Sequence, residues 1–297
     1  VGFLFPFIFT WIGISNIAPQ GVVPDSVIYS FYIGAAILIL CVIYTTVKVK
    51  EMPPAEYAEY HGITEEEEKE KINMVKLLVK APKAFWTVGL VQFFCWFAFM
   101  FMWTYTNGSV AANVFDAPTV ETAVNGVSKV MLDTKSIQYQ DAADWVGVLF
   151  AVQAIGSVLW AVCIPLFKDR KLIYSLSLVL GGLGFISTYF VHNQYVLFIS
   201  FLLIGCAWAA MLALPFTILT NALSGGHMGT YLGLFNGTIC IPQIVAASLG
   251  GSILALFTPK GMLPPEINML VMAGVMLIIG AVCVYLIKET KGEQTKA

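Results

Sequence analysis

The chain has 297 residues, 58% of them hydrophobic and 11% charged, with a formal net charge of −2. A soluble domain carries about 25% charged residues, so a water-soluble fold would have to hide far too much apolar surface. The charge balance points to no nucleic-acid or other polyanionic partner.

The first apolar run, Val1 to Pro19, is only just long enough to span a bilayer and has no flanking charge. It lacks the basic n-region and the small-residue cleavage site of a signal peptide, and reads as a crossing helix in a chain truncated before it. Ser26 to Val47 is the next expected helix, stopped by Pro53–Pro54. Lys48 to Lys83 reads as a charged cytoplasmic linker, with Glu65–Lys71 solvated and partly helical and with Val75, Leu78 and Val79 at the membrane surface. Six apolar runs follow, at 84–106, 143–167, 172–191, 195–220, 228–257 and 267–287. A hydrocarbon core about 30 Å thick needs about 20 apolar residues per helix, and each run meets that length. No alternating strand pattern is evident, so helices are expected rather than a barrel.

Lys and Arg favour the cytoplasmic side. They cluster at Lys48/Lys50, Lys69 to Lys83, Lys168/Arg170/Lys171 and Lys288/Lys291/Lys296, against only Lys129, Lys135 and Lys260 in the intervening loops. Strict alternation places 107–142, His192–Gln194 and Thr258–Glu266 outside and the C-terminus in the cytoplasm. The expected fold is an all-α polytopic membrane bundle with about eight crossings. Residues 1–48 would hold the last two helices of an N-terminal bundle, 49–83 the central linker and 84–297 a C-terminal six-helix bundle. That is a 6+6 carrier without its first four helices.

Catalysis needs a nucleophile–base pair or a ligand cluster. His61, His192 and His227 all lie outside the apolar runs, and the six cysteines lie inside them without a CxxC or Cys/His grouping. No catalytic residue, metal site or cofactor is implied. Uncharged polar and aromatic residues instead gather near mid-membrane. At 1.5 Å rise per residue, Gln92 and Trp96 lie about 12 and 18 Å from the inner end of their helix, and Phe99 and Trp103 continue the same face. Gln153 lies about 15 Å from the outer end of its helix and Trp208 about 18–20 Å from that of its own. Asn236 lies about 12 Å from an inner end, with Gln243 seven residues on along the same side. An unpartnered amide in hydrocarbon costs several kcal/mol, so these groups should face a bundle interior or a wet cavity. Amides suit hydroxyl groups and aromatic faces suit the C–H face of a sugar ring, so the expected ligand is a neutral polyol. For each amide an interhelical hydrogen bond that merely holds the bundle is the competing role, and for Trp103 and Trp160 packing or lipid contact. Gly229, Gly233 and Gly237 form GxxxGxxxG, expected to let two helices approach closely. Pro215 and Pro242 free carbonyls and permit kinks. Asn107-Gly-Ser109 matches a glycosylation sequon.

The run Gln92–Phe93–Phe94–Cys95–Trp96–Phe97–Ala98–Phe99 with Tyr105 resembles the seventh helix of sucrose and α-glucoside carriers of the major facilitator superfamily. Gly205–Cys206–Ala207–Trp208–Ala209–Ala210, running to Leu214–Pro215–Phe216, resembles their tenth. Met228 to Asn236 with Ile241–Pro242–Gln243 resembles their eleventh, the most specific match. Trp11-Ile-Gly13 and Gly21 to Ser26 resemble the fifth–sixth helix region of bacterial members. The resemblance implies a proton-coupled disaccharide carrier working by alternating access in an inner or plasma membrane. The partners it implies are a small-molecule sugar, a proton and the lipid bilayer. Thr106 stands where the plant carriers often have an acidic residue, and the Arg-rich signature between helices eight and nine is reduced to Lys168–Asp169–Arg170–Lys171. No Asp or Glu lies deep in these helices, and Asp144 sits at an outer mouth, so the coupling group is expected in helices preceding Val1. The substrate-binding set is Gln92, Trp96, Phe99, Tyr105, Gln153, Trp208, Asn236 and Gln243. The alternatives are a carrier of the same fold for a pentoside, hexuronide or drug, and a membrane-embedded enzyme or sensor.

Overall fold

The computed structural model describes residues 4–16, 23–50, 53, 56, 60, 74–124, 127–223 and 228–287. Glu65–Lys71, His61, His227 and the basic tail from Lys288 lie outside these residues. The chain begins with α1 (Phe5–Trp11) and α2 (Asp25–Lys48). The expected crossing over 1–19 does not form as one helix. α1 ends after seven residues, and Gly13 follows with a φ of +94°, a backbone that side-chain-bearing residues rarely adopt. Pro24 precedes α2, Asp25 sits in its first turn and Lys48 in its last, each matching the helix dipole.

A short helix, α3 (Met74–Val79), leads through Pro82 into α4 (Lys83–Asn113). This helix overruns its expected end at 106 by seven residues. Ser109 Oγ folds back onto the Tyr105 carbonyl at 2.7 Å and Asn113 Nδ2 onto that of Ser109 at 2.7 Å, so the polar residues that suggest a loop are satisfied within the helix. An antiparallel hairpin follows, β1 (Thr119–Val124) with β2 (Val127–Leu132), pairing Val120 with Met131 and Thr122 with Lys129. It is an addition to the all-helical expectation.

Helix α5 (Ile137–Cys163) is capped by Ser136, which accepts from the Tyr139 N–H, and runs into a 3₁₀ turn, Ile164–Leu166, at Pro165. Asp169 caps α6 (Arg170–Ser187), accepting from the N–H groups of Lys171 and Leu172 at 2.9 and 3.1 Å. Helix α7 (Leu197–Ala222) contains Pro215. The expected helix 228–257 runs as α8 (Met228–Phe235) and α9 (Gly237–Phe257), joined through Asn236, whose helical φ and ψ and i to i−4 hydrogen bonds carry the crossing on as one span. α10 (Ile267–Cys283) ends in a 3₁₀ turn, Val284–Leu286. Among the described residues, seven helical segments are long and apolar enough to cross a membrane, rather than eight.

Helix α7 packs between α5 and α6, α10 between α4 and α6, and α9 lies on α4. Glycine sets the closest approaches. A Cβ on Gly205 would overlap the Gln153 carbonyl oxygen, and one on Gly274 would stand 2.6 Å from that of Gly182. The GxxxGxxxG glycines do not work this way. Among the described residues nothing lies within 4 Å of a Cβ built on Gly229 or Gly233, and Gly237 meets only Ile241 of its own helix. The core is aromatic, with Phe85, Phe99, Phe101, Tyr174, Phe185 and Phe201 fully buried. The exterior is apolar too: Val158, Leu159 and Val162 of α5 and Leu38, Leu40 and Tyr44 of α2 stand exposed, as lipid contact requires.

Candidate functional site

The site is best built from Pro215. In a helix, the Met211 carbonyl would accept from the N–H four residues on, but Pro215 has none. Gln92 on α4 supplies the missing donor: its Nε2 meets the Met211 oxygen at 2.8 Å. A neighbouring helix thus satisfies a carbonyl that would otherwise be stranded in an apolar medium. The bond uses half of the amide. Gln92 is 1% exposed, and its Oε1 has no hydrogen-bond partner.

One turn further along the same face, Trp96 is 8% exposed and its Nε1 also lacks a partner. Its indole meets that of Trp208 edge-on at 5.8 Å between ring centroids. Phe99 packs on Trp208 at 4.9 Å, and Trp103 approaches Trp208 at 5.9 Å. The structure therefore joins Gln92, Trp96, Phe99 and Trp208 in one amide–aromatic seam between α4 and α7. The seam holds a buried acceptor and a buried donor, neither satisfied, beside aromatic faces. A hydroxyl both donates and accepts, so it suits either atom. A carboxylate has nothing for Oε1, and an ammonium has nothing for Nε1.

The other expected residues lie apart. Gln153 is buried on α5, where its own carbonyl abuts Gly205, three residues before Trp208 on α7. Tyr105 is nine residues beyond Trp96, ~14 Å along the helix. It packs on Phe101 at 5.5 Å, and its hydroxyl rests against Gly250 of α9. Asn236 is exposed at the junction of α8 and α9, where its carbonyl accepts from the N–H groups of Ile239 and Cys240. Gln243 is half-buried on α9. Trp160 has a structural partner, donating from Nε1 to Ser177 Oγ at 2.8 Å and so tying α5 to α6.

A cavity of about 330 Å³ lies elsewhere, at the end of the molecule that carries the hairpin. It is lined by Trp11 of α1, by Asp141, Asp144 and Trp145 of α5, and by Gln194, with none of the eight expected residues. Asn16 Nδ2 donates to Asp144 Oδ2 at 3.0 Å, linking the chain before the linker to the chain after it. Sequence reasoning missed this contact because Asn16 falls inside a run taken for a membrane crossing. Among the described residues no group of His, Cys, Asp and Glu could hold a metal ion.

Comparison with known proteins agrees with this architecture. The family model of the Major Facilitator Superfamily matches residues 117–297, more than half of the chain, covering the hairpin and every helix from α5 to α10. No curated protein matches the chain. Transporters of this kind bind small-molecule substrates within the membrane. With six membrane-length helices from α4 onward packed against one another and the match running from the hairpin through α10, the chain belongs to the Major Facilitator Superfamily, as a multi-pass secondary transporter of that superfamily.

Proposed function

We propose that this transporter carries a neutral sugar, a disaccharide such as sucrose or maltose, by alternating access and in symport with protons. In this reading the protein sits in the inner or plasma membrane with its C-terminus in the cytoplasm. Residues 84–297 form one half of a 6+6 carrier, and residues 1–48 belong to the other half. The observation that supports it most is the pair of unsatisfied buried atoms, Gln92 Oε1 and Trp96 Nε1, one turn apart and walled by Phe99 and Trp208. Buried polar groups are nearly always hydrogen-bonded, so an orphaned donor and acceptor on one face is a request for a ligand that carries both. Charge supports it too. Beyond Lys83 in its first turn, α4 carries no Asp, Glu, Lys or Arg, and α7, α9 and α10 carry none at all, which suits a neutral solute better than a hexuronide or an organic cation.

Tyr105, Gln153, Asn236 and Gln243 belong to the proposed binding set through the other conformations of the cycle, since they do not touch the seam in this one. The test is uptake of labelled sucrose and maltose into cells expressing the intact protein, with glucuronide as competitor. Uptake that either disaccharide competes away and glucuronide does not is the expected result. Transport of a hexuronide or a drug with no response to disaccharides would replace the sugar reading with that of another solute on the same fold.

A further inference from the structure

Glu266 sits where hydropathy places the end of a loop, immediately before α10. The structure gives it a different environment. Its carboxylate is seated on Gly108 of α4, so closely that a Cβ on that glycine would overlap it. Only glycine at 108 leaves this space, and the contact brings the start of α10 against α4. The side chain does not cap its own helix, because no N–H of the first turn reaches it. The titratable groups facing it are two phenols, Tyr105 from α4 and Tyr139 from α5. Neither is a counter-ion, and no hydrogen bond or cation among the described residues reaches the carboxylate. Asn107, the residue before Gly108, has its Oδ1 buried without a hydrogen-bond partner among the described residues, and Tyr139 interacts with Asn107 as well as with Glu266.

A carboxylate held partly out of water, with no cation and no donor among the described residues, is less stable as an anion than it would be in bulk water. It can take a proton and stay, or lose the proton and move out. We propose that Glu266 is a reversible proton-binding site, occupied while α10 sits on α4 and emptied when the carboxyl escapes to water. Burial raises its pKa from 4.5 to about 7, which puts both states within the physiological range. The proposal rests on the proton-symport reading and deepens it by placing a coupling group within the described residues. Its test does not involve sugar, so it can fail or succeed independently of the substrate.

The test compares the intact protein in detergent with its Glu266→Gln variant from about pH 5 to pH 8. Glutamine mimics the protonated acid. A raised carboxyl pKa means that the folded state holds the proton more tightly than the unfolded one. Its stability is then full below pH 4.5, falls as pH rises toward about 7, and levels off above. The two melting temperatures should therefore coincide near pH 5, and wild type should fall below the variant by pH 8. Curves that stay parallel across the range would overturn the proposal. Should the variant not fold, a hydrophobic carbodiimide, which modifies protonated carboxyls in apolar surroundings, reports on wild type directly by mass spectrometry. Adduct at Glu266 should persist to about pH 6 and halve near pH 7; loss with a midpoint near 4.5, the ordinary value, would overturn it.

Discussion

Gln92 Nε2 donates to the Met211 carbonyl at 2.8 Å, and that carbonyl is the one Pro215 leaves without a donor in its own helix. A proline on one helix and an amide on another thus form one structural unit, and the unit fixes where the second amide atom, Oε1, is presented.

The unit makes a coupled prediction. Gln92→Leu should destabilise the protein by about 1–3 kcal/mol, since it strands the Met211 oxygen. Pro215→Ala restores the backbone donor, so in that background the same substitution should cost less than about 1 kcal/mol. A double-mutant cycle by thermal unfolding in detergent measures the difference. Additive effects would mean that the two residues do not act together.

The glycines divide into two classes by what faces them. Gly274→Val should lower yield and melting temperature, because the new Cβ would meet the Gly182 oxygen at 2.6 Å and Ile186 Cγ1 at 2.8 Å, forcing α6 and α10 apart. Gly233→Ala should be neutral or stabilising by up to about 1 kcal/mol, since nothing lies near and alanine is the better helix former. Expression and melting of the two variants decide it. Equal damage from both would show that the GxxxGxxxG face is packed.

Asn107 should carry no glycan even when the protein is made in a glycosylating host. The sequon lies within α4, and Ser109 is 1% exposed with its hydroxyl held by the Tyr105 carbonyl. The intact mass before and after glycosidase treatment checks this; a shift on treatment would mean that α4 ends before Asn107.

Much of this was legible in the chain. Runs of about 20 apolar residues located α2, α4–α7, the α8–α9 span and α10, with ends off by up to seven residues, because bilayer thickness sets helix length directly. What failed did so for local reasons. Val1–Pro19 was apolar enough to span, but Gly13 turns the backbone left-handed. The hairpin was overlooked although Thr119–Val124 and Val127–Leu132 flank Asn125-Gly126, a strong hairpin pair. In the site, the shared face of Gln92, Trp96 and Phe99 followed from four-residue spacing, and Trp208 met it across the helix pair. Asn236 and Gln243 did not, because depth along a helix says nothing about which way a side chain faces around it: Asn236 is exposed and Gln243 half-buried. Glu266 escaped notice because hydropathy treats a carboxylate as a loop residue whatever glycine lies opposite.

The account stands or falls on whether the orphaned pair binds a hydroxylated solute. Trp96→Phe keeps an aromatic ring and removes Nε1, which holds no partner among the described residues, so folding should survive. Calorimetric titration of the intact protein with sucrose and maltose should show at least one of them binding to wild type, and about five- to tenfold weaker to Trp96→Phe at an unchanged melting temperature. Equal affinity in the two proteins, or a wild type that binds no neutral disaccharide, would contradict it.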